Sequence, residues 1–368
     1  MDSTPQVDLA SLSLEALGAF VVERLREKPF RTRQIFKWIH QRGVRSFEEM
    51  TDLSKDLRAR LTAQARLVGV TKDLEQVSTD GTIKYRWRTH DGLKIESVYM
   101  PSADRKTLCV STQVGCAMAC SFCATATLGL KRHLTPAEIV GQVHAANRDV
   151  RERFGLETLR PITNLVFMGM GEPLHNYENL KAALALLQSE DGPNFSHRHI
   201  TVSTVGLVPV IEKFAQEAEV KLAISLNASD DETRDRIMPV NRRWKIADLM
   251  DAVKRFPARQ GRRVTFEYVL MEGVNDTDAD VARLAALLQG VPAKVNLIQY
   301  NDNPGLGFHS TQDTRAQRFQ AGLERAGVLA LIRQNRGRDI AAACGQLANI
   351  AEAGQVLTPT RGQKGPTH

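Results

Sequence analysis

The stretch TLCVSTQVGCAMACSFC, residues 107–123, holds four of the five cysteines in a chain of 368 residues. Three of them, Cys116, Cys120 and Cys123, fall within eight residues, directly after an apolar run typical of a buried strand. Three thiolates can bind three irons of a 4Fe-4S cluster and leave the fourth iron free for a small molecule. A structural zinc ion would need a fourth ligand, for which Cys109 or His133 is available. A single triplet without a second CxxC pair favours the cluster.

Downstream of this stretch, short apolar runs alternate with amphipathic segments six times. Such alternation predicts six βα units around a parallel sheet with right-handed crossovers, because strands buried on both faces read as apolar runs. A partial barrel and a doubly wound sheet both fit, and in either one a ligand binds beyond the carboxyl ends of the strands. The six predicted strands lie in TLCVSTQ, ITNLVFMG, HITVSTV, KLAISLN, VTFEYVL and KVNLIQYN.

The rest of the chain divides into three further regions. Residues 1–68 predict a small helical accessory module, with apolar residues at helical spacing in LEALGAFVVERLREK, RTRQIFKWIHQRG and SFEEMTDLSKDLRARLTAQA. Residues 69–104 predict a β-hairpin linker, because Asp80-Gly81 and Asp91-Gly92 favour tight turns. The α/β core then occupies residues 105–348, and the polar residues 349–368 predict a flexible tail.

The composition indicates a globular protein, with 42% hydrophobic and 25% charged residues. No apolar run of about 18 residues is present and no signal sequence opens the chain, so we expect a cytoplasmic protein that does not contact membranes. The formal net charge is +7, and basic residues concentrate between Val21 and Arg45. This concentration is typical of a phosphate-binding surface or, equally, of a solvated helix face.

Small and polar residues follow the predicted strands at the edge where a ligand would bind. In GMGEPL, Gly171 permits close backbone approach and Glu172 offers a carboxylate to an amine, unless the motif is a plain tight turn. Any single polar residue at the end of another strand is more simply interpreted as a helix N-cap. Their recurrence beside the cysteine triplet favours a binding site. The other strand-end residues are Ser203, Ser225, Leu226, Asn227 and Asn301.

These motifs together resemble the RlmN/Cfr group of radical-SAM RNA adenosine methyltransferases. The resemblance rests on the triplet, on GMGEPL, on LCVSTQVGCAMACSFC and on DIAAACGQLA, and it extends to about residue 348. It implies a six-unit (β/α) partial barrel and a 4Fe-4S cluster held by Cys116, Cys120 and Cys123. It also implies that S-adenosylmethionine (SAM) contacts Gly171, Glu172, Ser203, Ser225, Leu226, Asn227 and Asn301. One departure is SLN at Asn227, where relatives commonly have SLH.

The resemblance further implies roles for the cysteines outside the triplet. Cys344 would take a methyl group from one SAM, and a second SAM would be cleaved reductively in each turnover. Cys109 would accept the ring proton and form a disulfide with Cys344, which a reductant reopens. Glu96 matches a proton acceptor, or else is a surface-facing strand glutamate. Without the resemblance, Cys109 is more simply interpreted as a small buried hydrophobic residue in a strand, and Cys344 as one in a helix.

The implied substrates are adenosines in RNA. They are an adenosine of 23S rRNA at the peptidyl transferase centre, in a protein-poor or early assembly form, and the tRNA adenosine 3′ of the anticodon, both methylated at carbon 2. An external electron donor and a disulfide reductant are the other implied partners of an expected monomer. Methylation at carbon 8 is the alternative within the group. A zinc-stabilised RNA-binding protein without catalysis is the alternative from another class. The basic clusters that could grip RNA are RTRQIFKWIHQR, His197–His199, Asn241–Lys245 and Arg333–Arg338.

Overall fold

The computed structural model describes residues 6–256, 263–303 and 305–348, so the predicted tail at 349–368 lies outside the described residues. Its strands are β1 Val7–Asp8, β2 Ala65–Arg66, β3 Thr71–Val77, β4 Ile83–Arg88, β5 Lys94–Pro101, β6 Lys106–Cys109, β7 Gln113–Val114, β8 Arg132–His133, β9 Asn164–Phe167, β10 Ile200–Thr204, β11 Lys221–Ser225, β12 Val264–Leu270, β13 Ala293–Gln299 and β14 Ala330–Arg333. Its α-helices are α1 Leu14–Ala19, α2 Phe30–Phe36, α3 Lys55–Gln64, α4 Ala124–Thr127, α5 Pro136–Phe154, α6 Tyr177–Gln188, α7 Val208–Glu217, α8 Asp231–Ile237, α9 Ile246–Arg255, α10 Asp278–Leu288 and α11 Asp313–Arg325.

One ten-stranded sheet organises the chain, in the order β14-β13-β12-β11-β10-β9-β6-β5-β4-β3. In this sheet β6 and β9 to β14 pair in parallel, and the helices between them complete the six predicted βα units, while β7 and β8 form a separate antiparallel pair. The apolar run VLALIRQ adds β14 as a seventh parallel strand at the edge. The predicted α/β class is confirmed. In the described part of the chain β14 and β3 do not pair, as expected of a partial barrel.

The hairpin region extends this sheet rather than linking two separate bodies. Gly81 and Gly92 sit at the two predicted turns with φ of +82° and +84°, a left-handed conformation that glycine adopts without strain. Strands β3, β4 and β5 pair antiparallel in succession, and β5 continues antiparallel onto β6. Residues 69–104 thus form a three-stranded extension of the core sheet.

The amino-terminal module differs from the prediction in its third segment. Helices α1 and α2 each continue as a π-helical turn, at Phe20–Arg24 and Lys37–Gln41, in agreement with the first two predicted segments. The third segment is broken, because Phe47–Glu49 forms only a short 3-10 turn. Helix α3 begins after Ser54, whose hydroxyl oxygen accepts the amide of Leu57 at 3.1 Å and caps the helix.

The module packs directly against helix α5. Leu17 and Phe36 belong to the same continuous hydrophobic core as Val143 of α5. At this contact the rings of His40 and His144 lie with their centroids 6.2 Å apart. No described helix is long and apolar enough to cross a membrane.

Alternation along the parallel strands gives the sheet two chemically different faces. The outer face packs on the helices: Phe266 and Tyr268 of β12 are fully buried in the core, and the Tyr268 ring lies 5.5 Å from that of Phe319 in α11. We call the opposite side the inner face. Polar and thiol side chains of successive strands lie on it, namely Cys109, Ser203, Ser225, Glu267 and Asn296.

Candidate active site

The loop after β6 carries the cysteine triplet. It turns at Gly115, which has φ of +77° and whose added Cβ would meet the carbonyl oxygen of Gly129 at 1.7 Å, so that only glycine fits there. The amide of Cys116 donates to the same carbonyl oxygen at 3.2 Å, and the amide of Cys123 donates to the carbonyl of Cys120 at 3.1 Å. The loop therefore closes on itself and gathers the three cysteines beyond the carboxyl end of β6.

The thiols of the triplet influence one another's ionisation. Cys120 is buried, whereas Cys116 and Cys123 are half-buried. Burial, together with the nearby charges of Glu172 and Cys123, raises the pKa of Cys116 to about 11. Burial and the other two thiols raise the pKa of Cys120 well above its ordinary value. Because a bound metal deprotonates a coordinating thiol, a cationic centre is what would hold all three as thiolates.

The spacing of the triplet fits a cluster better than a single ion. Among the described residues, one group of three or more His, Cys, Asp or Glu side chains has all its donor atoms within 4.8 Å of one another, and it consists of His90, Asp91 and Glu138. The triplet is more open than that. A tetrahedral zinc ion, with bonds of about 2.3 Å, brings its sulfur ligands to roughly 4 Å from one another. In a 4Fe-4S cluster each thiolate binds a different iron, so a wider spacing is required.

Neither candidate fourth ligand of a zinc ion, Cys109 or His133, forms a donor group with the triplet within 4.8 Å. The Nδ1 atom of His133 lies 3.0 Å from Nε2 of Gln113, and its ring packs edge-on against His175. The thiol of Cys109 is buried at the end of β6, where the charge that acts on it is that of Cys344. The zinc alternative therefore lacks the closed four-ligand shell that it requires.

The GMGEPL motif follows β9 and lies against the cysteine loop. Gly171 has φ of +98°, and a Cβ there would lie 2.5 Å from the side chain of Gln113, so glycine is required for the close contact with Gln113. The carboxylate of Glu172 accepts the amides of Leu174 at 3.0 Å and Val205 at 2.9 Å. Burial raises the pKa of Glu172 to about 7. Each carboxylate oxygen keeps a lone pair, so the group can still receive an amine.

The neighbouring strand ends bring further predicted residues together. The hydroxyls of Ser203 on β10 and Ser225 on β11 lie 3.3 Å apart. Leu226 is fully buried, and its amide donates to the carbonyl of Glu267 at 3.1 Å. Asn227 has φ of +56°, and its Oδ1 accepts the amide of Val269 at 2.9 Å. The side chain of Asn227 therefore fixes the turn after β11, which is a structural role that the sequence did not indicate.

Asn301, beyond β13, presents an unused donor. Its Oδ1 accepts from the side-chain amide of Asn335 at 3.0 Å, whereas its Nδ2 is buried and has no hydrogen-bond partner. An unsatisfied buried donor costs free energy of about 1–3 kcal/mol, so its presence at this edge indicates a ligand.

The segment that carries Cys344 is not helical, and the helical interpretation of AAACGQLA is wrong. A 3-10 turn at Arg338–Ile340 is followed by Ala341 with φ of +49°, and Gly345 has φ of +80°. Left-handed residues interrupt a helix. The segment instead crosses to the cysteine loop, where the carbonyl of Gly345 accepts the amide of Ala124 at 2.8 Å.

The two cysteines outside the triplet lie close enough for the charge of one to act on the other. Cys344 is exposed, and Cys109 is buried at the end of β6. Burial and the charge of Cys344 raise the pKa of Cys109. The surrounding protein and the charge of Glu267 raise the pKa of Cys344 to about 11. The thiols are separated by 235 residues in sequence (344 − 109) but share one electrostatic environment.

Glu96 lies on β5 and is buried, so the alternative of a surface-facing strand glutamate is wrong. Its Oε2 accepts the amide of Ala348 at 3.1 Å. The ammonium of the buried Lys84 donates to the carbonyl of Ala341 at 3.2 Å and feels the charge of Glu96. Two side chains of the antiparallel extension thus hold both ends of the segment that carries Cys344.

Residues 7–67 match the ribosomal RNA large subunit methyltransferase N-terminal domain, and residues 110–285 match the radical SAM superfamily. The chain is 69% identical to dual-specificity RNA methyltransferase RlmN 2 of Myxococcus xanthus, over 94% of this chain and 92% of the relative. It is 59% identical to RlmN of Anaeromyxobacter dehalogenans, over 96% and 94%. The chain belongs to the RlmN family of radical SAM RNA methyltransferases.

A solved structure supports the same assignment at the level of the fold. A radical SAM methyltransferase from Sphaerobacter thermophilus superposes with a TM-score of 0.88 at 46% identity, covering 93% of this chain and 99% of that one. The chain is therefore an enzyme of the RlmN family, as its motifs predict, and the family resemblance in the sequence is confirmed.

Membership of the RlmN family implies two cofactors, a 4Fe-4S cluster and SAM. The residues present fit both. Cys116, Cys120 and Cys123 would hold the cluster, since their spacing exceeds that around one ion. The unpartnered Nδ2 of Asn301 and the carboxylate of Glu172 would hold SAM.

Arg234 of α8 is a site residue that the sequence did not reveal. Its fully buried guanidinium donates to the carbonyls of Leu226 at 3.0 Å and Val205 at 2.7 Å, and so joins the ends of β10 and β11. Burial lowers its pKa to about 10, while the charge of Cys120 opposes that change. In sequence it lies within DDETRDRI, where the dense charge predicts a solvated helix face.

Proposed function

We propose that this enzyme methylates carbon 2 of adenosine in RNA with Cys344 as the methyl carrier. The substrates are the 23S rRNA adenosine at the peptidyl transferase centre and the tRNA adenosine 3′ of the anticodon. The observation that carries the proposal is that the segment of Cys344 reaches the cysteine loop, where the carbonyl of Gly345 accepts the amide of Ala124, and that the charge of Cys344 acts on the Cys109 thiol. The names of the relatives support RNA as the substrate class.

A carrier is needed because carbon 2 of adenine has neither a lone pair nor an acidic proton with which to attack a methyl donor. A thiolate can attack one, and Cys344 is exposed where a donor can reach it. When bound at the triplet, the cluster with SAM supplies the one-electron chemistry that activates the carried methyl group. Two molecules of SAM are thus consumed per turnover, one as methyl donor and one as oxidant of that methyl group.

Release of the product falls to Cys109. Once the methylene carbon on Cys344 has joined the ring, the ring proton must leave and the bond between carbon and sulfur must break. Cys109, held on a strand, can accept the ring proton as a thiolate and pass it to the methylene carbon as the bond between that carbon and sulfur breaks. The two sulfurs then close a disulfide, and the one electron that is left over would return to the cluster. An external reductant reopens that disulfide, and an external electron donor serves the cluster.

Glu96 belongs to the proposal as a proton acceptor and as a positioning residue. It is buried on the inner side of the extension and accepts the amide of Ala348. A carboxylate that anchors the Cys344 segment is close to the thiol pair, where a proton is released in each turnover.

The RNA backbone needs a basic surface outside the site. In the accessory module at residues 7–67, Phe30 is 59% exposed and the Arg31 guanidinium stacks 4.8 Å from its ring, which is a platform for an unpaired base. Asn241 is not available to RNA, because it is buried and accepts from Arg234 at 2.9 Å. An adenosine exposed in protein-poor rRNA or in an anticodon loop costs little free energy to flip.

Anaerobic turnover with methyl-labelled SAM and defined rRNA and tRNA fragments tests the proposal. We expect labelled 2-methyladenosine in nucleosides from both RNAs, and a peptide containing Cys344 that carries an additional methyl group before RNA is added. The Cys344→Ala variant is the control that lacks the carrier. Formation of 8-methyladenosine would overturn the assignment of carbon 2, and a methyl group on a different residue would overturn the carrier.

A further inference from the structure

The inner face carries a polar pair that the chemistry described above does not use. Glu267 of β12 and Asn296 of β13 are register partners in neighbouring parallel strands. Both are buried, with 7% and 2% of their surface exposed. Nδ2 of Asn296 donates to Oε1 of Glu267 at 2.8 Å. We call these two residues the inner-face pair.

The pair leaves one strong acceptor without a partner. Oδ1 of Asn296 is buried and receives no hydrogen bond. The carboxylate of Glu267 fixes the amide orientation, because rotating the amide would bring two oxygens together. A buried carbonyl oxygen left unsatisfied is unfavourable, so its orientation indicates a donor that arrives with a ligand.

The pair lies on the same face of the sheet as the strand-end serines, because Glu267 is the register partner of Ser225 on β11. The charges of Glu267 and of Arg333 on β14 also act on the Cys344 thiol. A base that reacts at Cys344 comes within reach of this face, and its edge away from the sulfur is available to the pair. Adenine carries an amino group on carbon 6, across the ring nitrogen N1 from the reacting carbon 2.

We propose that the inner-face pair binds the amino group of the target adenine, with Asn296 Oδ1 accepting its N–H and Glu267 holding Asn296 in that orientation. This inference rests on the proposed function and adds the subsite for the base. Guanosine presents a carbonyl oxygen at the same ring position, which would face Oδ1 with its own lone pairs. The subsite thus selects adenosine over guanosine without any contact at the reacting carbon.

Replacement of single functional groups in the RNA tests the subsite. One fragment carries purine riboside, which lacks the amino group, at the target position, and a matched fragment carries 2′-deoxyadenosine there. We expect wild-type kcat/KM to fall about ten- to a hundredfold with purine riboside, because a buried acceptor is left unpaired. With 2′-deoxyadenosine, we expect a change of no more than about threefold, since the acceptor is still paired.

The Asn296→Ala variant completes a cycle in which the protein acceptor and the amino group of the base are removed singly and together. It should lose a similar factor on adenosine and should barely distinguish adenosine from purine riboside, because the acceptor is gone. The Glu267→Gln variant should show an intermediate loss, since its amide no longer fixes the orientation of Asn296. Asn147→Ala removes a buried amide that accepts from Ile162 on the far side of the sheet, and it controls for general destabilisation.

The possible results are distinct. If wild-type enzyme methylates purine riboside as well as adenosine, or if Asn296→Ala keeps full discrimination, the subsite is wrong. If Asn296→Ala does not fold, the wild-type comparison of the two fragments still decides. Methylation of Cys344 in the absence of RNA should be unchanged in Asn296→Ala. Failure of wild-type enzyme to methylate Cys344 or adenosine contradicts the proposed function instead.

Discussion

The two faces of the parallel sheet differ in what they contribute. On the outer face of β12, Phe266 and Tyr268 are fully buried against the helices. Between them Glu267 points to the inner face, where its partners are Asn296 and the environment of Cys344. One seven-residue strand thus supplies packing on one side and chemistry on the other. The comparison teaches that stability and activity of this enzyme are encoded at alternate positions, so substitutions should separate them.

The largest effect is expected on the inner face at Cys344. Replacement by Ala removes the methyl carrier, so transfer to RNA should fall on the order of 10⁴-fold or more. The side chain is exposed, so the melting temperature should stay within about 2 °C of wild type. Incorporation of labelled methyl groups into RNA and thermal unfolding measure the two quantities. Appreciable RNA methylation by Cys344→Ala would contradict the assignment of Cys344 as the methyl carrier, and with it the separation of activity from stability.

The Cys109→Ala variant tests the second proposed catalytic thiol of the inner face. In Cys109→Ala the methyl group is still carried and added, but the resolving thiol is missing, so RNA should accumulate covalently attached to the protein. Denaturing electrophoresis with labelled RNA detects the adduct, and Cys344→Ala, which cannot form it, is the control. Clean multiple turnover by Cys109→Ala would show that resolution does not need this residue.

On the outer face, Phe266→Ala should produce the opposite result. Removing a fully buried phenylalanine costs about 3–5 kcal/mol of the free energy of unfolding. The methylation rate per folded molecule should not change, because the side chain points away from the site. Urea unfolding combined with an activity assay at low temperature checks both statements. A specific loss of activity greater than the loss of folded protein would mean that the faces are coupled.

The smallest expected effect is on the pH dependence of stability, at the contact between the amino-terminal module and α5. Burial lowers the pKa of His40 to about 3 and that of His144 to about 4, so both are neutral when folded and are protonated below pH 6.5 when unfolded. Stability from these groups is therefore complete above pH 6.5 and is lost as pH falls. Between pH 6.5 and 5 the loss is about 2 kcal/mol for each histidine.

Urea unfolding of wild type and His40→Phe at pH 7 and pH 5 measures this dependence. The variant should lose less stability than wild type over this range, by about the contribution of one histidine. An identical pH dependence in both proteins would show that His40 does not stay neutral in the folded state.

Much of the site was predictable because its residues sit at positions that topology fixes. Ser203 and Ser225 end consecutive strands, and parallel strands end at one edge, so the 3.3 Å contact follows from the strand pattern. The cysteine triplet is local in sequence and needed no fold to be recognised. The prediction for AAACGQLA was wrong because alanine-rich sequence favours a helix, whereas left-handed residues and contacts from β4 and β5 override that preference.

Other parts depended on contacts between distant segments. In the sequence Arg234 is one of several neighbouring charged residues. Its role becomes visible only in the structure, where it donates to the carbonyls of Leu226 and Val205. Similarly, the buried state of Glu96 depends on Ala348, which is 252 residues away. Local patterns carry no information about such partners, since burial is decided by which segment covers a strand.

The sequence by itself determined the parallel sheet, the edge where ligands bind and the three thiols of one loop, because strand periodicity and close spacing are local properties. Only the tertiary structure decided that the segment of Cys344 reaches the cysteine loop, that Asn227 supports a turn, and that the inner-face pair keeps one acceptor free. Those facts come from packing between segments far apart in the chain, where geometry rather than residue type selects the partner.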